Sequence, residues 1–255
     1  MKIISFVSRK GGVGKTTITY LISTYLSEIK NKRILLIDAD PQGNLSSMFD
    51  LYENNTAILF SKNKFNLFKI IKKTSIKNLE IISSNIDLDE INNLILNYNI
   101  KQKVLFKNIT PFFNQLKNNY DYILIDTNPS LNLINQNMLL ISDEIILICD
   151  ESRYSVKGIM NLISDWSGIC HDFEIKNTIR TIILNRLENK SASKQIVDFM
   201  NREFSDIVLE NTLREYAIIK NAINNNKTLS KNKSIVNLGN PIEKIVQELF
   251  NKKIL

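Results

Sequence analysis

Short apolar runs of four to six residues alternate along this chain with longer segments whose apolar residues return every third or fourth position. The short runs predict strands at Ile3–Val7, Arg33–Ile37, Leu79–Ile82, Tyr122–Ile125, Glu144–Ile148 and Ile179–Leu184. The longer segments predict helices at Lys15–Ile29, Asp87–Leu96, Gln102–Lys117, Leu131–Ile141, Val156–Ile169, Ala192–Phe204 and Pro241–Asn251. Pro111 is expected to kink or divide the helix that holds it. Strand and helix in alternation describe an α/β fold, a doubly wound, mostly parallel sheet with helices on both faces. The Asn/Lys-rich stretch Asn54–Lys77 reads as a short helix pair or an excursion from the fold, and Asn224–Lys233 reads as a loop. With 7 Gly, 4 Pro, no internal repeat and no Gly/Ser linker, one domain over residues 1–255 is expected.

Composition narrows this only a little. A hydrophobic fraction of 44% is enough for a substantial core and excludes wholesale disorder. The net charge of +7 fits a polyanionic partner and, equally, an AT-rich genome that enriches Lys, Asn and Ile. Cys149 and Cys170 do not make a disulfide framework in 255 residues. Cys170 beside the single histidine, His171, is a poor metal site. The N-terminal apolar run is short and leads straight into Arg9-Lys10, unlike a signal peptide, and no run approaches the ~20 residues of a membrane-spanning helix. A cytoplasmic location is expected.

The chemistry concentrates after the first strand, in Ser8-Arg9-Lys10-Gly11-Gly12-Val13-Gly14-Lys15-Thr16-Thr17. Glycines at 11, 12 and 14 allow backbone N–H groups to turn inward around a phosphate, at the positive end of the helix that follows. Lys15 supplies a charge to β- and γ-phosphate oxygens, and the Thr16 hydroxyl suits Mg²⁺. The string is a P-loop with two departures: Arg9 stands where a glycine is usual, and Lys10 is an additional lysine. In this it resembles the ParA/MinD family of deviant Walker ATPases. The resemblance implies ATP and Mg²⁺ as ligands, with residues Lys10 to Thr17 around the phosphates. It further implies that Lys10 reaches the phosphates of a second subunit in an ATP-bound, face-to-face homodimer.

Two further segments extend the resemblance. Leu35-Leu36-Ile37-Asp38-Ala39-Asp40-Pro41-Gln42-Gly43-Asn44 puts two carboxylates at the carboxyl end of a strand, where open α/β sheets build their sites. By resemblance Asp40 orients the attacking water and Asp38 supports the Mg²⁺ shell. Tyr122-Ile123-Leu124-Ile125-Asp126-Thr127-Asn128-Pro129-Ser130 reads as the Walker B strand, with Asp126 holding Mg²⁺ through water. The family usually has proline where Asn128 stands, which puts the rigidity of this segment in question. Thr212-Leu213-Arg214 occupies the place of an Ile-Pro-Arg segment near the nucleotide, with Leu213 in place of the proline. Asn185 at a strand end suits either an adenine contact or a turn.

Asp40-Pro41-Gln42-Gly43-Asn44 and Asp126-Thr127-Asn128-Pro129-Ser130 look like ParA rather than MinD. Ile242, Ile245, Val246, Leu249 and Phe250 make the last helix amphipathic, a spacing that favours packing on its own domain over membrane contact. No cysteines follow the P-loop at positions for an iron–sulfur cluster, and a strand beginning at Ile3 is expected to leave no N-terminal helix-turn-helix domain. The resemblance thus implies a ParA-type (Soj-like) ATPase for plasmid or chromosome partition. Such a protein binds DNA non-specifically as an ATP dimer at the nucleoid, and slow hydrolysis stimulated by a ParB-like partner releases it. Lys190, Arg214 and Lys220 fall near where relatives carry DNA-contacting residues. The alternatives are a MinD-like membrane-positioning ATPase and a ParA relative that positions a protein assembly.

Overall fold

The computed structural model describes residues 1–60, 66–97, 102–176, 178–188, 191–214 and 241–255, with the backbone alone at Ala192 and Arg214. Its first half runs β1 (Lys2–Val7), α1 (Lys15–Glu28), β2 (Ile34–Ala39), α2 (Asn44–Ser47), α3 (Asn55–Ile58), α4 (Leu67–Ile70), β3 (Lys72–Lys73), β4 (Leu79–Ile82), α5 (Leu88–Asn97) and α6 (Gln102–Gln115). The second half runs β5 (Tyr122–Thr127), α7 (Leu133–Leu140), β6 (Glu144–Cys149), α8 (Arg153–Phe173), β7 (Ile179–Leu187), α9 (Ser191–Glu203), β8 (Leu213–Arg214) and α10 (Pro241–Asn251).

The strands form one sheet in the order β3-β4-β2-β5-β1-β6-β7-β8, in which only the β3–β4 pair is antiparallel. From β1 the chain crosses to β2 on one side, and from β5 it crosses to β6 on the other. The loops after β1 and β5 therefore leave the carboxyl edge in opposite directions and open a crevice there. Pairing aligns Phe6 with Asp126 and Asp38 with Asp126, so three strands end at one height around that crevice.

Alternate strand residues feed opposite cores. Ile4, Phe6, Leu36 and Leu124 meet α1 and α10, whereas Leu35, Ile37, Ile123 and Ile125 meet the layer of α5, α6 and α7. On the second face, toward the other edge, Leu147, Ile182 and Leu184 pack under α8 and α9. Helix α1 is buried almost all round although it carries four serines and threonines in its last three turns. Each of these hydroxyls returns to a helix carbonyl, Thr19 to Lys15, Ser23 and Thr24 to Tyr20 and Ser27 to Thr24, so burial leaves none of the four unpaired.

The expected strands and helices are present, with ends that differ by a few residues. Helix α8 begins at Arg153 because Ser152 caps it, accepting the Ser155 N–H, and its packed face continues through Cys170 and Phe173 before Glu174 closes it in the left-handed conformation. Helix α6 is continuous through Pro111 rather than divided. In the Asn54–Lys77 stretch the two short helices α3 and α4 are followed by the edge strand β3. Helix α10 buries Ile242, Ile245, Val246 and Leu249 against the α1 side of the sheet, so its apolar face belongs to the core. The Asn224–Lys233 stretch lies outside the described residues.

Candidate functional site

The crevice is an open cleft of about 700 Å³ at the carboxyl edge of the sheet. Gly11, Gly12, Gly14, Lys15, Thr16 and Thr17 form its floor; Asp40, Gln42, Asn44 and Ser47 form one wall, and Pro129 and Arg186 close it. Gly14 caps α1 at φ 94°, where a Cβ would also collide with the Asn185 amide. The loop thus enters the helix by a turn that only glycine takes without strain, and the first N–H groups of α1 are left facing the cleft.

One charged group of this floor and two beneath it form the centre of the site. Lys15, Asp38 and Asp126 are buried, the two carboxylates completely. Asp38 is fully engaged by the turn that follows it. It accepts the Asp40 N–H at 3.1 Å and, on its other oxygen, the Ser46 N–H at 2.8 Å and hydroxyl at 2.7 Å. Ser46 in turn accepts the Ser84 N–H, tying the turn to β4. Asp40 holds the same turn through the Gln42 N–H at 2.9 Å while facing the cleft. Both oxygens of Asp126, by contrast, are buried with no hydrogen-bond partner among the described residues.

Burial, and then the Asp38 carboxylate, push Asp126 well above the usual carboxylate range; Lys15 and the approach of the Thr16 hydroxyl offset this only in part. Asp38 is also raised, by burial, against the opposing pull of its bonds from Ser46. Burial draws the Lys15 ammonium below its usual range, against the attraction of Asp126 and Asp40. The charges oppose one another too incompletely for the site to be self-sufficient. No group of three or more His, Cys, Asp or Glu gathers among the described residues, so a metal here would not be caged by protein. A cation beside Asp126 and Thr16 that kept its waters and took phosphate oxygens would fit, which is the habit of Mg²⁺.

Asn128, where proline would be usual, is held by amide bonds instead. Its side-chain oxygen accepts the Ser130 N–H at 2.8 Å and the Asn135 side-chain amide, which also reaches the Ser130 carbonyl at 2.5 Å. Asn135 is itself placed by the Asn132 cap of α7. A network across α7 thus fixes the segment after Asp126.

The remaining loop residues turn toward α8 and β7. Arg9 pairs with Asp165 of α8, and Gly158 makes room for it: a Cβ there would lie 3.3 Å from the Arg9 Cβ. Lys10 points to its own chain, its ammonium 2.5 Å from Asp150 and 3.0 Å from Ser152. From β7, the Asn185 amide donates to the Val13 carbonyl at 2.6 Å, and Arg186, in the left-handed conformation, donates to the Gly12 carbonyl.

Of the residues singled out in the sequence, Gly11, Gly12, Gly14, Lys15, Thr16, Thr17 and Asp40 share the cleft, with Asp38 and Asp126 beneath it. The Val13 side chain is in the core, and Asn185 fastens the loop backbone. Leu213 pairs with Asn185 across the β7–β8 edge, its side chain buried in the core. Arg214 follows it in β8, and Lys190 and Lys220 lie outside the described residues. Arg186, Asp150 and Ser152 were not singled out. A charged residue directly after Asn185 and a polar run closing an apolar strand are weak signals, and only the fold brings them to the loop.

A family model described as an AAA domain matches residues 1–181. The chain belongs to this family, the ParA/MinD group of P-loop ATPases. It is 40% identical to a protein of Methanocaldococcus jannaschii over 64% of each chain. It is 25% identical to a virulence plasmid ParA family protein of Chlamydia psittaci, over 97% of this chain and 99% of that one. A crystal structure of a putative plasmid partition protein from Borrelia burgdorferi, bound to AMPPNP, superposes with a TM-score of 0.77 at 26% identity, covering 97% and 99% of the two chains.

Proposed function

We propose that this chain is a ParA-type partition ATPase that binds ATP with Mg²⁺ in the cleft and works as an ATP-dependent sandwich dimer. The observation that carries the nucleotide reading is the buried pair of unpartnered Asp126 oxygens beside Thr16 and Lys15, at the N-terminus of α1. A carboxylate stripped of water and hydrogen bonds is costly unless a cation completes it. Gly11 to Gly14 would cradle the phosphates, Lys15 would neutralise the β- and γ-oxygens, and Thr16 with Asp126 would hold the cation, Asp38 standing behind. The cation, once bound, supplies charge neutralisation at the phosphates. Asp40, on the cleft wall, would orient water for slow hydrolysis. Lys10 would serve the phosphates of the second subunit.

The ParA family name of the Chlamydia psittaci relative and the plasmid partition title of the Borrelia burgdorferi structure favour DNA as the surface bound. The net charge of +7 agrees, with Arg214, Lys190 and Lys220 as candidate contacts and a ParB-like protein as the stimulating partner. A MinD-like membrane role is the second reading. The amphipathic face of α10 counts against it, because that face is already buried, and no described helix is long and apolar enough to cross a membrane. Co-sedimentation with ATP and Mg²⁺ separates the two: the partition reading expects pelleting with duplex DNA and not with anionic liposomes. The reverse would replace it.

A further inference from the structure

The extra lysine of the loop has a built receptor in its own chain. Strand β6 ends at Cys149, and Asp150 follows it, largely buried. One Asp150 oxygen accepts the Ser152 N–H at 3.0 Å and the Ser152 hydroxyl at 2.7 Å; the other takes the Lys10 ammonium. Ser152 is at the same time the cap of α8, and the Asp150 N–H donates to the Ser155 hydroxyl. Both Asp150 oxygens and the Ser152 hydroxyl are thus engaged, and Lys10 is the partner that another loop brings to them. Burial alone would raise the Asp150 carboxyl, but Lys10 and Ser152 together hold it below the usual range.

We propose that Asp150 and Ser152 form an intramolecular dock for Lys10, a positioning device that must release the lysine before it can serve a second subunit. The inference rests on the sandwich-dimer reading for its consequence, though not for its geometry. A lysine held by a charge-assisted bond cannot make another in the same direction, so docking and subunit contact compete. The dock therefore biases the chain toward the monomer, and nucleotide together with a second subunit must outbid it. Because about a third of the Lys10 side chain is exposed, the competition is worth a modest factor rather than an absolute block.

The test has two readouts. In the first, lysine acylation by a water-soluble ester is followed residue by residue by mass spectrometry on the full chain without added nucleotide. Lys10 should react several-fold more slowly than the exposed Lys157, and Asp150→Asn, which keeps an acceptor for the Ser152 N–H, should bring it to the Lys157 rate. Wild-type Lys10 reacting as fast as Lys157 would overturn the dock, and this arm needs no variant to fold. In the second, sedimentation with Mg²⁺ and a slowly hydrolysed ATP analogue should show Asp150→Asn dimerising about tenfold more tightly, an effect absent in the Lys10→Ala background. Equal dimerisation with Lys10 freed would overturn the competition. Failure of wild type and variant alike to dimerise, with Lys10 still protected, would overturn the sandwich reading and the competition while leaving the dock.

Discussion

Asp38 and Asp126 stand opposite each other in the β2–β5 register, both fully buried, yet among the described residues Asp38 accepts three hydrogen bonds and Asp126 accepts none. The first carboxylate builds the turn that carries Asp40. The second is left to whatever cation the cleft admits. Their burial, with the Asp38 charge adding to it at Asp126, gives the site a dependence on pH.

Both carboxyls are raised above their ordinary range, about 4 in the unfolded chain. Between that range and the raised values, folding takes up protons, so stability falls as pH rises through the window. Without nucleotide, thermal midpoints should therefore decline from about pH 5 to about pH 8. Asp126→Asn should flatten that decline and stabilise the chain at the upper end by ~1–2 kcal/mol, while weakening Mg²⁺-dependent nucleotide binding. The same slope in wild type and variant would remove Asp126 from the account.

The segment after Asp126 should owe its rigidity to Asn135. Asn135→Ala deletes the amide that joins Asn128 to Ser130 and should cost about 1–2 kcal/mol. Hydrogen exchange should rise at Thr127–Ser130 more than in β6. An evenly distributed loss of protection would show that the network stabilises the fold at large and not this segment.

Glycine substitutions should separate by backbone conformation. Gly43 has φ 60°, and a Cβ there would lie 2.7 Å from the Ser84 carbonyl oxygen, so Gly43→Ala should destabilise by more than ~1 kcal/mol and distort the Asp40 turn. Gly168, exposed within α8 with open space at its Cβ, should tolerate alanine and gain ~0.5–1 kcal/mol. Denaturant midpoints of the two variants check both signs.

Much of this was legible in the sequence because the controlling forces are local. Buried strands read as apolar runs, and the loop from Lys10 to Thr17 reads as a phosphate cradle because only glycine and a helix start make one. What was not legible depends on partners far along the chain. That Ser46 donates to Asp38 from eight residues on is not read from the Asp38-Ala39-Asp40 string alone. Asn185 fastens Val13 from 172 residues away, and Asp150 meets Lys10 across 140. The two-residue strands β3 and β8 carry too little pattern to be read, and the start of α8 is set by the Ser152 cap.

DNA association should follow nucleotide and salt. If each of two protomers neutralises about two phosphates, log K should fall with log salt at a slope near −4, about −0.9 per contact. Arg214→Glu should flatten that slope equally on unrelated duplexes, with nucleotide binding retained. Binding that ignores ATP, or that discriminates sharply between duplexes, would contradict non-specific tethering.

Calorimetric titration of Mg²⁺-ATP into the wild-type chain and into Lys15→Ala tests the central claim most directly. Lys15 is buried at the head of α1 among Asp126 and Asp40, so its loss should weaken binding at least ~100-fold, about 3 kcal/mol. The wild-type chain should bind one nucleotide, and Lys15→Ala should give no measurable heat at the same concentrations. Equal affinity in the two proteins would contradict it.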